Sequence, residues 1–196
     1  MSRQGGDFWQ FSLRLYDGPS VAENCLRLQD EFDLDVNLLL FCCWSACRGV
    51  ALTPALLRPA ITFSAAWQQH LLAPLRHCRR WLKPGPDSEI DTLPRIPQEI
   101  RAAIKQLELT AEQYQQTRLA DLLDETLVHA SQPGDQDQPG LENPGSGSNR
   151  QALIQTNLAA YLAVSHTDLS AADNSLLQPL IETSLTLWPL PASHQS

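Results

Sequence analysis

Long apolar runs are scarce in this chain of 196 residues. The longest, Val36 to Cys47, is 12 residues, well short of the roughly 20 that a membrane helix needs. Basic residues are outnumbered, with 14 Lys and Arg against 22 Asp and Glu for a net charge of -8. Phosphate backbones require a positive field, so DNA binding is not expected. Cysteines are few and odd in number, and three of the five (Cys42, Cys43 and Cys47) share one apolar run. That is poor material for a secreted disulfide framework. The opening residues have no apolar core of signal-peptide length and are interrupted by Asp7, Arg14 and Asp17. A cytoplasmic protein with reduced thiols and no membrane association is therefore expected.

Catalytic signatures are also missing. There is no P-loop and no dinucleotide fingerprint, and none of the five histidines has a nucleophile or carboxylate nearby in a recognisable pattern. Catalytic groups can converge from distant helices, so an enzyme is not excluded, although the balance leans against one. No catalytic residue, metal ligand or cofactor is assigned. No segment shows convincing strand alternation, and no internal repeat is found.

What remains is a series of helices with clear punctuation. Asp7 is a candidate cap for a first helix, Phe8 to Tyr16, ended by Asp17-Gly18-Pro19. Ser20 followed by Glu23 reads as a capping box opening a second helix with Val21, Cys25 and Leu28 on one face. Asp35 is placed to cap a third helix, 36–48, stopped by Gly49. Thr53-Pro54 starts a fourth, and Pro74 should kink or restart it before Pro84-Gly85-Pro86. Apolar spacing then predicts a long helix over 97–129, with a possible break at Thr110, and two further helices over 150–164 and 170–187. The fold expected is all-α: one bundle of about six to eight helices. Its organisation reads as a helical core over 1–130, a disordered acidic Gly/Pro-rich linker over 131–149, and C-terminal helices over 150–190 packing on the core.

The stretch "LQDEFDLDVNLLLFCCW", 28–44, sets four carboxylates before an apolar run. The spacing of Asp30, Glu31, Asp33 and Asp35 lacks the glycine and distal glutamate of a calcium loop, so turn formation and helix capping are the favoured roles. Cys43 and Cys47 lie one helical turn apart, yet zinc sites favour short knuckles in irregular chain. Buried thiols are favoured over a metal site or a redox pair. A helix apolar nearly all round, with Asn37 and Ser45 as its polar interior residues, should be the central helix of the bundle.

The segment from Phe8, Trp9, Phe11, Ser12, Leu13 and Tyr16, through Cys25-Leu26, Leu28-Gln29-Asp30, to Asp35–Leu40 resembles the opening of a family of small uncharacterised gammaproteobacterial proteins. The pattern is Phe-Trp-x-Phe-Ser-Leu-x-x-Tyr, Cys-Leu-x-Leu-Gln-Asp and Asp-Val-Asn-Leu-Leu-Leu. Trp67 and the run Pro74-Leu75-Arg76, Arg79-Arg80 and Lys83 also resemble it, and the similarity spans roughly 7–130 and, more weakly, 150–186. The resemblance implies a bacterial domain of unknown function, with no activity or cofactor attached. Asp33 departs from it, because glycine is expected there, which implies a differently built turn.

Two groups of side chains are candidates for function. Residues 51–86 carry five basic and no acidic groups, in an otherwise acidic chain. Within them Arg76, Arg79, Arg80 and Lys83 recur at i, i+3, i+4 and i+7, one face of a helix. Pairing inside the fold, with Glu108 and Glu112 or with Asp30 and Glu31, is the blander reading of that stripe. The functional reading is an adaptor or regulator docking an acidic protein partner of unknown identity. The alternative is a phosphate- or diphosphate-ligand site, or an enzyme, using the same arginines with Asp30 positioning a metal. Trp9, Tyr16, Gln29 and Asp30 form the second group, favoured as core and cap residues, or else lining a small polar pocket if they meet the basic helix. Oligomeric state is left open.

Overall fold

A computed structural model describes residues 3–83, 98–130 and 147–187. Among the described residues there are only helices and turns, so the fold is all-α as expected. The order is α1 (Arg3–Tyr16), α2 (Val21–Phe32), α3 (Val36–Cys47), α4 (Pro54–Trp67), a π-helical turn (Gln68–Leu72), α5 (Ala73–Trp81), α6 (Gln98–Ala130), α7 (Gly147–Val164), α8 (Ala171–Asn174), a 3-10 turn (Ser175–Leu177) and α9 (Gln178–Thr186). No helix among the described residues is long and apolar enough to cross a membrane. Of the segment read as a linker, 131–146 lies outside the described residues, while 147–149 form the first turn of α7. The chain divides into two compact units: Met1–Ile61 with Gln116–Ser196, and Thr62–Gln115.

The first unit is organised around α3. Every residue from Asn37 to Cys47 is buried, including Asn37 and Ser45, as an all-apolar helix requires. It packs most extensively on α7, and also on α1, α2 and α9. Helix α1 supplies Phe8, Phe11 and Leu15 from one face, and Phe8 stacks on Trp44 with centroids 4.8 Å apart. Helix α7 brings Ile154, Leu158 and Tyr161, and α9 brings Leu180 and Ile181.

Polar contacts fix the register of this core. Asp35 caps α3 by accepting the Asn37 N–H at 2.8 Å, and its own N–H donates to the Tyr161 hydroxyl at 3.0 Å. Asn157 is fully buried. Its Oδ1 accepts the Leu52 N–H at 2.8 Å, while Nδ2 donates to the carbonyls of Val50 (2.9 Å) and Cys42 (3.2 Å). One side chain thus satisfies the Leu52 N–H and the Val50 carbonyl just past α3, and adds a second bond to the Cys42 carbonyl inside the helix. Gly49, at φ 75°, makes the left-handed turn that ends α3.

Helix starts are where expectation and structure part. Helix α1 begins at Arg3, so Asp7 lies inside it and not at its N-cap position. Ser20 sits at φ 58°, left-handed, and its side chain makes no capping bond. A capping box needs an extended N-cap backbone; here the entry is a tight turn in which the Val21 N–H donates to the Gly18 carbonyl. Asp33 also takes a left-handed backbone, at φ 55°, and its N–H reaches the carbonyls of Leu28 and Gln29. The turn is therefore of the kind a glycine makes, built with aspartate instead.

The second unit, Thr62–Gln115, has a polar interior. Among its described residues the apolar side chains classed as buried are Leu72 and Ala111. Ser64 and Gln115 are buried beside them and hydrogen-bonded to each other. Phe63, Trp67 and Tyr114 form a ladder of rings with centroids 5.8 and 5.0 Å apart, and the Trp67 Nε1–H donates to the Ala111 carbonyl at 3.1 Å. Pro74 acts as expected, with an identifiable device. It has no N–H to offer His70, and the preceding turn widens so that the Ala73 N–H bonds back to Gln68 instead. Thr110 causes no break; its hydroxyl donates to the Gln106 carbonyl within an intact α6.

Candidate docking face

Helix α5 leaves the π turn with Pro74 in its first turn, where a missing N–H costs nothing. Its basic residues project in two directions. Arg76 and Arg79 face α6 and Arg80 is exposed; Lys83, expected on the same helix, lies just past the end of α5 and is exposed too.

The inward pair is thoroughly engaged. Arg79 places Nε 2.5 Å and Nη2 3.1 Å from the two carboxylate oxygens of Glu108. Arg76 reaches Glu108 through Nε at 3.2 Å, Glu112 through Nη2 at 2.7 Å and Gln68 through Nη1 at 3.1 Å. Glu108 is only 7% exposed. Burial pushes its carboxyl up, but the hydrogen bonds and charge of Arg79 and Arg76 outweigh that and hold it below the ordinary value. Glu108 thereby occupies the position an external anion would take between the two guanidinium forks. Glu108 and Glu112 are the partners the sequence offered for this stripe; Glu31, the other candidate, pairs with Arg27 on its own helix.

The outward pair is different. Arg80 lies across the α5 surface with Nε 3.4 Å from the Arg76 carbonyl. Trp81, between Arg80 and Lys83 in sequence, is 46% exposed. A large aromatic beside arginine on a protein surface is a composition enriched at interface hot spots.

The second candidate group belongs to the first unit. Trp9 and Tyr16 are half-buried on α1; Gln29 is half-buried and Asp30 exposed near the end of α2. The basic stripe lies in the other unit. Four cysteines, Cys25, Cys42, Cys43 and Cys47, are buried, and Cys78 is exposed; all five are free. Burial pushes the thiols of Cys25 and Cys43 up to about 12, and those of Cys42 and Cys47 are raised as well. Among the described residues no three His, Cys, Asp or Glu side chains are grouped to hold a metal ion.

A family profile described as a protein of unknown function, DUF2390, matches residues 7–119. The chain belongs to that family. No curated protein and no solved structure matches it. The DUF2390 match contains α2 to α5 entire, together with the basic helix and its partners Glu108 and Glu112. It stops before α7, although the DUF2390 chain buries α3 against that helix.

Two features of this geometry escaped sequence reasoning. Gln68 as a third partner of Arg76 depends on the π turn, which no local pattern announces. Asn157 looks like one more polar residue on an amphipathic helix, and only the fold aims it at the backbone after α3.

Proposed function

We propose that this protein is a non-enzymatic helical adaptor or regulator that docks an acidic protein partner on the outward surface at the C-terminal end of α5, through Arg80, Trp81 and Lys83. The observation that carries this reading is the division of labour along the basic stripe. Arg76 and Arg79 are taken up by Glu108 and Glu112, which fixes the helix. Arg80 and Lys83 remain exposed with an exposed tryptophan between them. Arg76 and Arg79 are positioning residues in this reading, and the docking set narrows to the outward residues. The phosphate-ligand alternative is less favoured, since an incoming anion would have to displace Glu108 from both forks. A bacterial cytoplasm suits the five free thiols, which a reducing compartment preserves.

The test compares the full chain with an Arg80→Glu/Lys83→Glu variant as bait in source-cell lysate, read by mass spectrometry. Both residues are exposed, so the variant is expected to fold. A protein of acidic surface retained by the native chain and lost by the variant supports the adaptor. The same set captured by both refutes this face. A rise in melting temperature with diphosphate and Mg²⁺ would instead favour the ligand reading.

A further inference from the structure

The first half of α6 carries a second surface, independent of the basic face on α5. Ile100, Leu107 and Tyr114 repeat every seven residues, and all three are exposed, at 47%, 58% and 49%. Ala103 and Thr110 lie on the same stripe, three residues after Ile100 and Leu107, and are exposed too. Ile100, Ala103, Leu107 and Thr110 have the a/d spacing of a coiled coil, large at a and small at d; Tyr114, the next a position, closes the stripe with its ring stacked on Trp67. The packed face of α6, marked by Ile104, Glu108 and Ala111, lies to one side of it. The seam spans about 20 Å at 1.5 Å per residue.

The order of large and small residues specifies what can cover it. In an antiparallel pairing, an a residue of one helix meets a d residue of the other. Placing two copies of α6 antiparallel about residue 105 sets Ile100 against Thr110 of the second copy, and Leu107 against Ala103. The two-fold axis then repeats both layers in reverse. Each of these four layers pairs a large residue with a small one, as interdigitation requires. A parallel pairing would set Leu107 on Leu107 and Ala103 on Ala103, which alternates crowding with voids. The flanks permit the antiparallel arrangement as well. Gln106 comes opposite Gln106, and Glu99 comes opposite Gln113, so no like charges meet. Arg80 lies on α5 and Lys83 just past its end, and Lys105 points away from the seam.

We infer that this stripe of α6 is a homotypic interface, through which two copies of the chain associate antiparallel with Leu107 of each copy seated on Ala103 of the other. A contact of this length falls at the small end of specific interfaces, so the dimer should be concentration-dependent.

Sedimentation velocity of the full chain, over roughly a hundredfold range of concentration, tests it. The expected result is a shift from the 21.8 kDa monomer toward twice that mass. Leu107→Glu should remain monomeric at every concentration; the residue is exposed, and an unchanged circular dichroism spectrum verifies the fold. Ala103→Leu separates a specific register from general stickiness. It adds apolar surface but fills the space that Leu107 of the second copy needs, so it should weaken association at least several-fold. A native chain monomeric throughout overturns the inference. So does a dimer that survives Leu107→Glu, or one strengthened by Ala103→Leu.

Discussion

Arg79 holds both carboxylate oxygens of Glu108, at 2.5 and 3.1 Å, and Arg76 shares one of them at 3.2 Å. A carboxylate clamped by two guanidiniums stands where an apolar contact would normally join two helices. Replacing Glu108 by alanine should therefore cost about 1–3 kcal/mol, more than a surface pair, because two partly buried arginines lose a partner. The pH dependence has a definite sign. The folded chain holds this carboxyl below its ordinary value of 4.5. Its contribution is thus complete above that value and is lost as pH falls through the lower folded value. Melting curves taken through the acid range should show a shallower pH slope for Glu108→Gln than for the native chain. Equal slopes would mean that the pair contributes nothing to stability.

Asn157 is the polar counterpart within the first unit. Removing its side chain leaves the Leu52 N–H and the Val50 carbonyl without the side-chain partner they have now, while the Cys42 carbonyl keeps its place in the α3 ladder. Each unsatisfied buried group costs about 1–3 kcal/mol. Asn157→Ala should accordingly lower stability by at least about 2 kcal/mol, measured by urea denaturation. Asn157→Asp keeps the acceptor for Leu52 but sets a carboxylate against two carbonyls, and should be no better.

The helical fold, the central place of α3, the Asp35 cap and the long span of α6, though not its continuity through Thr110, were legible in the sequence. These depend on apolar periodicity and on residues whose chemistry acts within one turn. The entry to α2 was not legible. Ser20 and Glu23 have the spacing of a capping box, but that pattern carries no information about the backbone angle at Ser20, which the close approach of Gly18 to α9 helps set. A Cβ on Gly18 would lie 2.6 Å from the Thr183 side chain. The basic run was legible as a candidate surface, and its internal partners Glu108 and Glu112 could be named, but not that the run divides and that α5 ends before Lys83. Which arginines face inward depended on the rotation of α5, and that is decided by tertiary packing around the π turn.

Asp33 offers a gain of stability rather than a loss. Its φ of 55° is a conformation that costs an ordinary L-residue roughly 1 kcal/mol and costs glycine little. Asp33 is exposed, so its side chain gives up little packing on replacement. Asp33→Gly should raise stability by about 0.5 kcal/mol, the relief of strain being partly offset by a freer unfolded chain. Asp33→Ala keeps the strain and removes a polar side chain suited to this conformation, and should lower the melting temperature. If both variants shift it in the same direction, backbone strain is not what governs the turn.

The thiols provide a test of the core itself. Cys25, Cys42, Cys43 and Cys47 are buried and their thiols are held protonated by desolvation, while Cys78 is exposed. Reaction requires both access and thiolate. A disulfide reagent at about pH 8 should thus label one thiol per folded chain rapidly. All five should react after denaturation. Cys78→Ser should abolish the fast phase and leave a slow one whose rate follows unfolding, slower in Asp33→Gly and faster in Asn157→Ala. Rapid labelling of a second thiol in the native chain would place one of the four in a solvent-reachable position, and the packing of α3 against α2 and α9 would have to be looser than described.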